Sequence, residues 1–498
     1  MKAILKKYSK KSGKGARKAS RLIMRAEKRL SRALDDEALR DLAREERRVK
    51  ARSKDGLSAA QAEDFRLKKQ IAEVARTQFT NAEWVKLDNA ALIFPSTTRA
   101  DKNNLFRVSV LLKEKVDPII LQKAVNFLVP RFPAVTSAVK RGFFWYYLEP
   151  STHPLTVEKD VDFPCRKIPL DSRHSSIRVL FYGNRISVDF FHVATDGTGG
   201  VTFVNSLLAC YLKLKYDVEV EEKTNCPDFR DKPKREEMVD SFLQMADLKT
   251  PKAEKDVVAY AVKGTRLTPY SSCVIFGTMS AQSVRQLARE KNCTVTELIT
   301  ACIIWATEQD RLFYGYSKKL PVAVSVPCNL KRYFPSPTLR NFIAVMPIIN
   351  DNSTDFDSVL EKVREQFAKK NNKEFFMGVI NFNVKSQLNP MIKIAPLVIK
   401  DMVLKFAIRR FGDRVRTSTF SNLGVAKAPR EFEDFVERYE FSLGPQVRET
   451  TGWSAVTYKD NFVLCAARTI VESNIERLVF SKLAELGVNV TLETNCEV

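Results

Sequence analysis

His192, Asp196 and Gly197 stand close together in the stretch Phe190–Gly200, and their types and spacing fit acid–base work at a turn. A neutral imidazole near pH 7 can take a proton from a hydroxyl, thiol or amine as that group attacks an acyl carbonyl. Acyl transfer by direct attack needs such a base, an oriented nucleophile and support for the oxyanion; it needs neither a metal nor a covalent serine. Asp196 lies four residues beyond His192, too awkwardly placed to relay its proton but able to lock the turn by pairing with a base elsewhere. The glycines at 197, 199 and 200 permit tight turning and close approach of another segment. The chain has only three histidines, His153, His174 and His192, and only the last has such surroundings. The plainer alternative is an ordinary structural histidine beside a strand.

Two elements must position this group. Arg185 to Phe191 reads as a strand, with Ile186 and Val188 on one face and Ser187 and Asp189 on the other. Val201 to Leu212 is an apolar helical run, so the polar residues fall at a strand-to-helix junction. Upstream come a strand over Phe106–Leu112, a helix over Pro118–Leu128, an aromatic segment Phe143–Tyr147 and a strand over Ile177–Tyr182, an α/β layered order. Residues 214–262 are polar and read as a linker or surface excursion. The second half predicts a strand over Ser271–Gly277 and a helix over Ala281–Glu290. A capping box at Thr294–Glu297 then opens a core helix through Ala306. Further strands are expected over Pro321–Pro327 and Ile343–Ile349, helices over Asp355–Lys369, Ala395–Arg410 and Ile475–Gly487, and a loop at Ser421–Gly424.

At 498 residues the chain is too long for one ordinary core, and 44% apolar content suits sizeable ones. The expected division is a basic extension over 1–80, a first domain over 82–262 and a second over 263–498. No apolar run has the length and purity of a membrane span, and no secretory signal follows the cationic start, which points to a cytoplasmic or membrane-peripheral protein. The nine cysteines are scattered without a CxxC and histidines are few, so no metal site is expected and the thiols read as reduced and mostly buried. Of the +23 net charge, residues 1–30 hold twelve Lys or Arg and a single acid, a block drawn to an anionic membrane surface or to nucleic acid.

The string from His192 resembles the HHxxxDG signature of the chloramphenicol acetyltransferase-like superfamily, which includes condensation domains and alcohol O-acyltransferases. His192 matches the second histidine, Asp196 the acid and Gly197 the glycine; Phe191 replaces the first histidine, leaving HxxxDG. Lys86–Ala91, Phe334–Phe342 and Ser421–Gly424 look, in the same order, like a bacterial alcohol acetyltransferase-like branch, so the resemblance runs from about residue 82 to the C terminus. It implies an α/β fold of two layered domains, mixed sheets with helices, flanking a central channel, with the basic helical extension in front. It implies transfer of an acyl group, acetyl foremost, from a coenzyme A or carrier thioester to a small-molecule alcohol or amine. No cofactor is then bound permanently, and the protein works as a monomer.

In relatives the acid pairs with an arginine of a VNxR-like string. Here Asn329-Leu330-Lys331-Arg332 puts lysine at that place and arginine next to it, and lysine lacks the guanidinium fork. Arg340 and Asn341 either contact substrate or tie down the strand that follows. Thr419, Ser421 and Asn422 carry groups able to donate to an oxyanion, against the alternative that Asn422 and Gly424 only supply a turn. The DFGWG motif of other branches is missing. The departures at Phe191 and Lys331 keep open a catalytically silent relative that binds a small molecule or protein in the same cleft. Met391–Phe411 is a basic amphipathic stretch that covers the channel, meets lipid or, the commonest fate of such stripes, packs in the core.

Overall fold

The computed structural model describes residues 39–51, 57–75, 78 and 84–496, apart from 100–101, 224, 250–256, 269–270, 317–318, 411 and 447. Of the expected basic helical extension, residues 1–38 lie outside the described residues, whereas 39–51 are helical. The strands of the first half are β1 (Val85–Lys86), β2 (Leu105–Leu112), β3 (Ala138–Arg141), β4 (Tyr146–Glu149), β5 (Val157–Lys159), β6 (Ile177–Tyr182) and β7 (Arg185–Phe191). Those of the second are β8 (Cys273–Ser280), β9 (Val322–Asn329), β10 (Ile343–Asn350), β11 (Ser418–Val425), β12 (Val436–Leu443), β13 (Thr451–Tyr458), β14 (Asn461–Arg468) and β15 (Thr491–Thr494).

A five-stranded sheet runs in the order β12-β2-β7-β6-β5 and a seven-stranded one in the order β10-β9-β11-β13-β14-β8-β15; β1, β4 and β3 form a small third sheet. Helices α1 (Ala59–Ala75), α2 (Pro118–Arg131) and α3 (Gly197–Tyr216) cover the first large sheet and share one apolar cluster with it. On the second pack α4 (Ala281–Glu290), α5 (Val295–Phe313), α6 (Phe356–Lys370) and later α9 (Asn474–Glu485), around Phe420 and Trp453. Between them in sequence run α7 (Lys373–Leu388) and α8 (Leu397–Arg410). The capping box that opens α5 is formed: the Thr294 hydroxyl accepts the Glu297 N–H, and the Glu297 carboxylate accepts that of Thr294.

The central strands of the first sheet are buried on both faces, so their charges must find each other. Arg107 on β2 stands in register with Asp189 on β7 and donates to it at 2.6 Å, with Asp160 at 2.8 Å on its other side. Nearby carboxylates more than offset the burial penalty on this guanidinium and hold its pKa above the ordinary value.

Three features differ from expectation. β12 comes from the second half of the chain yet completes the first sheet, pairing antiparallel with β2 from Leu443↔Phe106 to Val436↔Leu112, so a cut at 262/263 divides the sequence but not the sheets. Ser421–Gly424, read as a loop, lies inside β11, because Phe420 and Leu423 each find an apolar face to fill. Two of the nine thiols are not reduced: Cys273 at the start of β8 and Cys496 beyond β15 form a disulfide, while the other seven are free and five of those are buried. Among the described residues, no helix is long and apolar enough to cross a membrane, and no group of His, Cys, Asp or Glu is arranged to hold a metal ion.

Candidate active site

The end of β7, the turn after it and the first turn of α3 carry His192 to Gly200. Asp196 is the N-cap of α3: one carboxylate oxygen accepts the Gly199 N–H at 3.0 Å, satisfying a donor that the helix start leaves free. The other oxygen accepts the Phe342 N–H at 3.0 Å, from the loop that joins β9 to β10. The acid is wholly buried, and the helix N-terminus supplies the positive end of a dipole to it. No cation lies within ion-pair distance of it among the described residues. Lys331 is half-buried and Arg332 exposed over the Tyr333 ring, so the expected ion pair of Asp196 with Lys331 or Arg332 is replaced by two backbone amides. Asn329 still serves the junction, donating to the Thr198 hydroxyl at 2.9 Å and capping the short turn Leu330–Arg332.

The glycines act through what they admit. A β-carbon on Gly199 would stand 2.6 Å from the Leu339 carbonyl oxygen and closer still to the Thr195 hydroxyl, which itself donates to that carbonyl at 2.5 Å. Gly199→Ala is therefore expected to lower stability by about 1–3 kcal/mol, read as the shift in urea midpoint, because backbone and not a flexible side chain must move. Gly197 faces the Leu423 side chain from β11.

The β9–β10 loop brings Arg340 and Asn341 to the histidine. His192 Nδ1 is 2.8 Å from Asn341 Oδ1. The Asn341 amide nitrogen donates to Asp88 Oδ2 at 3.1 Å and to the His192 carbonyl at 2.8 Å. With both acceptors on the nitrogen side, the asparagine oxygen must itself accept, so Nδ1 carries the hydrogen and donates it. In the neutral ring the lone pair then resides on Nε2, which makes no hydrogen bond among the described residues. The ring is half-buried, stacked on Phe94 with centroids 4.9 Å apart and edge-on to Phe106 at 5.1 Å; its N–H on the main chain donates to the Asn104 carbonyl at 3.0 Å.

Behind Asn341, Asp88 and Arg340 are both buried, their Oδ2 and Nε 3.3 Å apart, and Arg340 also donates to the Lys86 carbonyl at 2.8 Å. A second carboxylate, Asp240, accepts the Asn89 N–H at 2.9 Å; burial, and then the charge of Asp88, push its pKa up to about 6. Arg340 and Asn341 thus hold the site together from behind. Phe191, in the place of the first histidine of the signature, is buried with Leu87 and Val193 in a small apolar cluster.

The segment Ser418–Val425 presents alternate residues to opposite sides. Ser421 stands in register with Ser454, whose hydroxyl donates to the Phe441 carbonyl on β12, and Leu423 meets Gly197, so this face looks toward the first sheet. Phe420 and Asn422 point the other way. The Asn422 amide donates to Thr296 at the start of α5 at 3.1 Å, and its oxygen accepts the Gly424 N–H at 2.8 Å. Asn422 is thereby committed away from His192, and Ser421 is the member of the pair on the histidine side of the sheet.

Asp88, Phe94, Asn104 and Asp240 were not among the expected site residues. Asp88 belongs to the Lys86–Ala91 segment but carries no chemical signal of its own in the sequence, and it sits 253 residues from the Asn341 it contacts.

No family model and no curated protein matches this sequence. Solved structures do. TRI3 trichothecene 15-O-acetyltransferase from Fusarium sporotrichioides aligns with a TM-score of 0.52 at 10% identity, over 81% of this chain and 94% of its own. TRI101 of Fusarium graminearum, solved with coenzyme A and deoxynivalenol, gives 0.54 at 14%, over 82% and 100%. The first condensation domain of the calcium-dependent antibiotic synthetase, in complex with a substrate analogue, gives 0.53 at 12%, over 83% and 100%. The identities are low while the neighbours are matched over nearly their whole length and this chain over about four-fifths of its own, so what is shared is architecture. The chain shares the fold of these acetyltransferase and condensation-domain structures.

Proposed function

We propose that this protein is an acyltransferase in which His192 acts as general base. Nε2 takes the proton from an alcohol or amine as that group attacks the thioester carbonyl of an acyl-coenzyme A or acyl-carrier donor. The tetrahedral intermediate then collapses, and the thiolate leaves with the proton returned by the imidazolium. The observation that carries this reading is the hydrogen-bond chain Asp88–Asn341–His192, which fixes the Nδ1–H tautomer and leaves the Nε2 lone pair without a partner among the described residues. The fold supports the same reading, since acetyltransferases and condensation domains share it. Asp196 and Gly197 hold the turn and Ser421 stands on the histidine side of β11, while Asn329 and the Arg340–Asn341 pair bind the two halves around it. No metal or permanently bound cofactor takes part in this scheme.

The test is a thiol-release assay with acetyl- and longer acyl-coenzyme A donors against a panel of primary alcohols and amines, with the acylated product identified by mass. Acceptor-dependent release of coenzyme A is the expected outcome. A protein that binds donor or acceptor yet transfers nothing across the panel would instead be a silent binding module.

A further inference from the structure

Helix α8 is turned inside out relative to an ordinary surface helix. Its protein-facing side holds Leu397 with two charged residues, Lys400 at 6% exposure and Asp401 at 7%. Its outward side carries Val398, Ile399, Met402, Val403 and Phe406, the last and Met402 each 69% exposed. These positions recur at three- and four-residue spacing, so they form one continuous stripe. The inward charges are fully engaged. Asp401 accepts from the Ser96 hydroxyl at 2.6 Å and the Tyr146 hydroxyl at 2.9 Å, and Lys400 donates to the Phe144 carbonyl at 2.9 Å while lying over the Trp145 ring at 3.3 Å. These bonds fix which face of the helix points away from the protein.

The stripe continues on both sides. The short helix before α8 exposes Met391 and Ile394, at 78% and 72%. The hairpin between β3 and β4 places Phe143, 71% exposed, beside the start of α8, where the Leu397 N–H donates to the Phe143 carbonyl at 2.8 Å. The exposed charges from residue 382 to 406 are Lys385, Lys393 and Lys405, with no exposed acid among them. An outward apolar stripe, an aromatic tip at its edge and a rim of lysines complement the two layers of an anionic bilayer interface, acyl chains beneath and phosphates above. A second copy of the chain would bring the same lysines against each other.

We propose that the face formed by α8, the preceding short helix and the β3–β4 hairpin docks on anionic phospholipid membranes. The contact is peripheral, the apolar stripe sinking to the headgroup boundary and Lys385, Lys393 and Lys405 meeting lipid phosphates. It lies close to the site: Ser96, bonded to Asp401, belongs to the same short helix as Phe94, which stacks on His192.

The full-length protein is to be sedimented with phosphatidylcholine vesicles containing about a third phosphatidylserine, and with phosphatidylcholine alone. Wild type is expected to bind the mixed vesicles, and the pair Met402→Glu, Phe406→Glu to bind on the order of a hundredfold more weakly while melting at the same temperature in solution. Should the glutamates disturb the helix, Ile394→Ser with Met402→Ser is expected to weaken binding in the same direction. Equal binding of wild type and variants would assign the membrane contact to the basic residues 1–30 and overturn the proposal. So would absence of wild-type binding, or light scattering that shows wild type self-associating through this face and the variant not.

Discussion

His192→Ala is expected to lower turnover in the acyl-transfer assay by about 10²–10⁴-fold, the usual contribution of a positioned general base. The melting temperature is expected to fall by only a few degrees, since the lost ring contacts are worth about 0.5–1.5 kcal/mol each and the ring is not fully enclosed. Two separate measurements are needed, because the ring also stacks on Phe94 and its main chain joins the sheet end to Asn104. A variant that folds and turns over at the wild-type rate would remove the histidine from the reaction. A variant that loses activity only because it no longer binds donor or acceptor would make the ring a wall of the site and not its base.

The second large effect is expected behind the histidine. Asp88→Ala leaves Arg340 buried without its anion and deprives the Asn341 amide of an acceptor, a combination expected to cost about 3–5 kcal/mol in urea unfolding. Asn341→Leu keeps the ion pair and isolates the effect on the ring. It is expected to lower kcat by about ten- to a hundredfold, with KM for the acceptor less affected, because the imidazole is then free to place its hydrogen on either nitrogen. Nitrogen-15 chemical shifts give a readout that a merely structural role would not move. The neutral ring of wild-type His192 is expected as the Nδ1–H tautomer, and that of the Asn341→Leu variant as a mixture. With only three histidines in the chain the assignment is tractable. A wild-type ring found as the Nε2–H tautomer would contradict the hydrogen-bond chain from Asp88.

What could be read from the sequence was what lies close together along it. His192, Asp196 and the glycines fall within nine residues, and the switch from strand to helix periodicity there located the turn correctly. The same holds for the Thr294–Glu297 capping box, whose two hydrogen bonds span three residues. The partners of the turn were harder. Asn341 touches His192 across 149 residues, and nothing in its neighbours distinguishes a group that orients a base from one that anchors a strand. Asp196 shows a similar limit: its charge suggests a cation as partner, whereas a carboxylate at a helix start can be satisfied by backbone N–H groups that no side chain announces. Helix α8 exposes the limit of periodicity itself. The spacing of Val398, Met402 and Phe406 defines a face but not the direction it turns, and that was decided by Ser96, Tyr146 and Trp145, which accommodate the charged side.

The place of β12 beside β2 bears on how such a molecule can be taken apart and how it can open. Eight residues from the second half close the flank of the first sheet. Expressing residues 84–262 alone would leave β2 with a bare row of amides and carbonyls, a template for pairing with other chains, so that fragment is expected to precipitate rather than fold. The same lacing restrains the halves from swinging apart as free bodies. Any opening between the halves is then expected to come from side chains and short loops, with the sheets themselves staying joined.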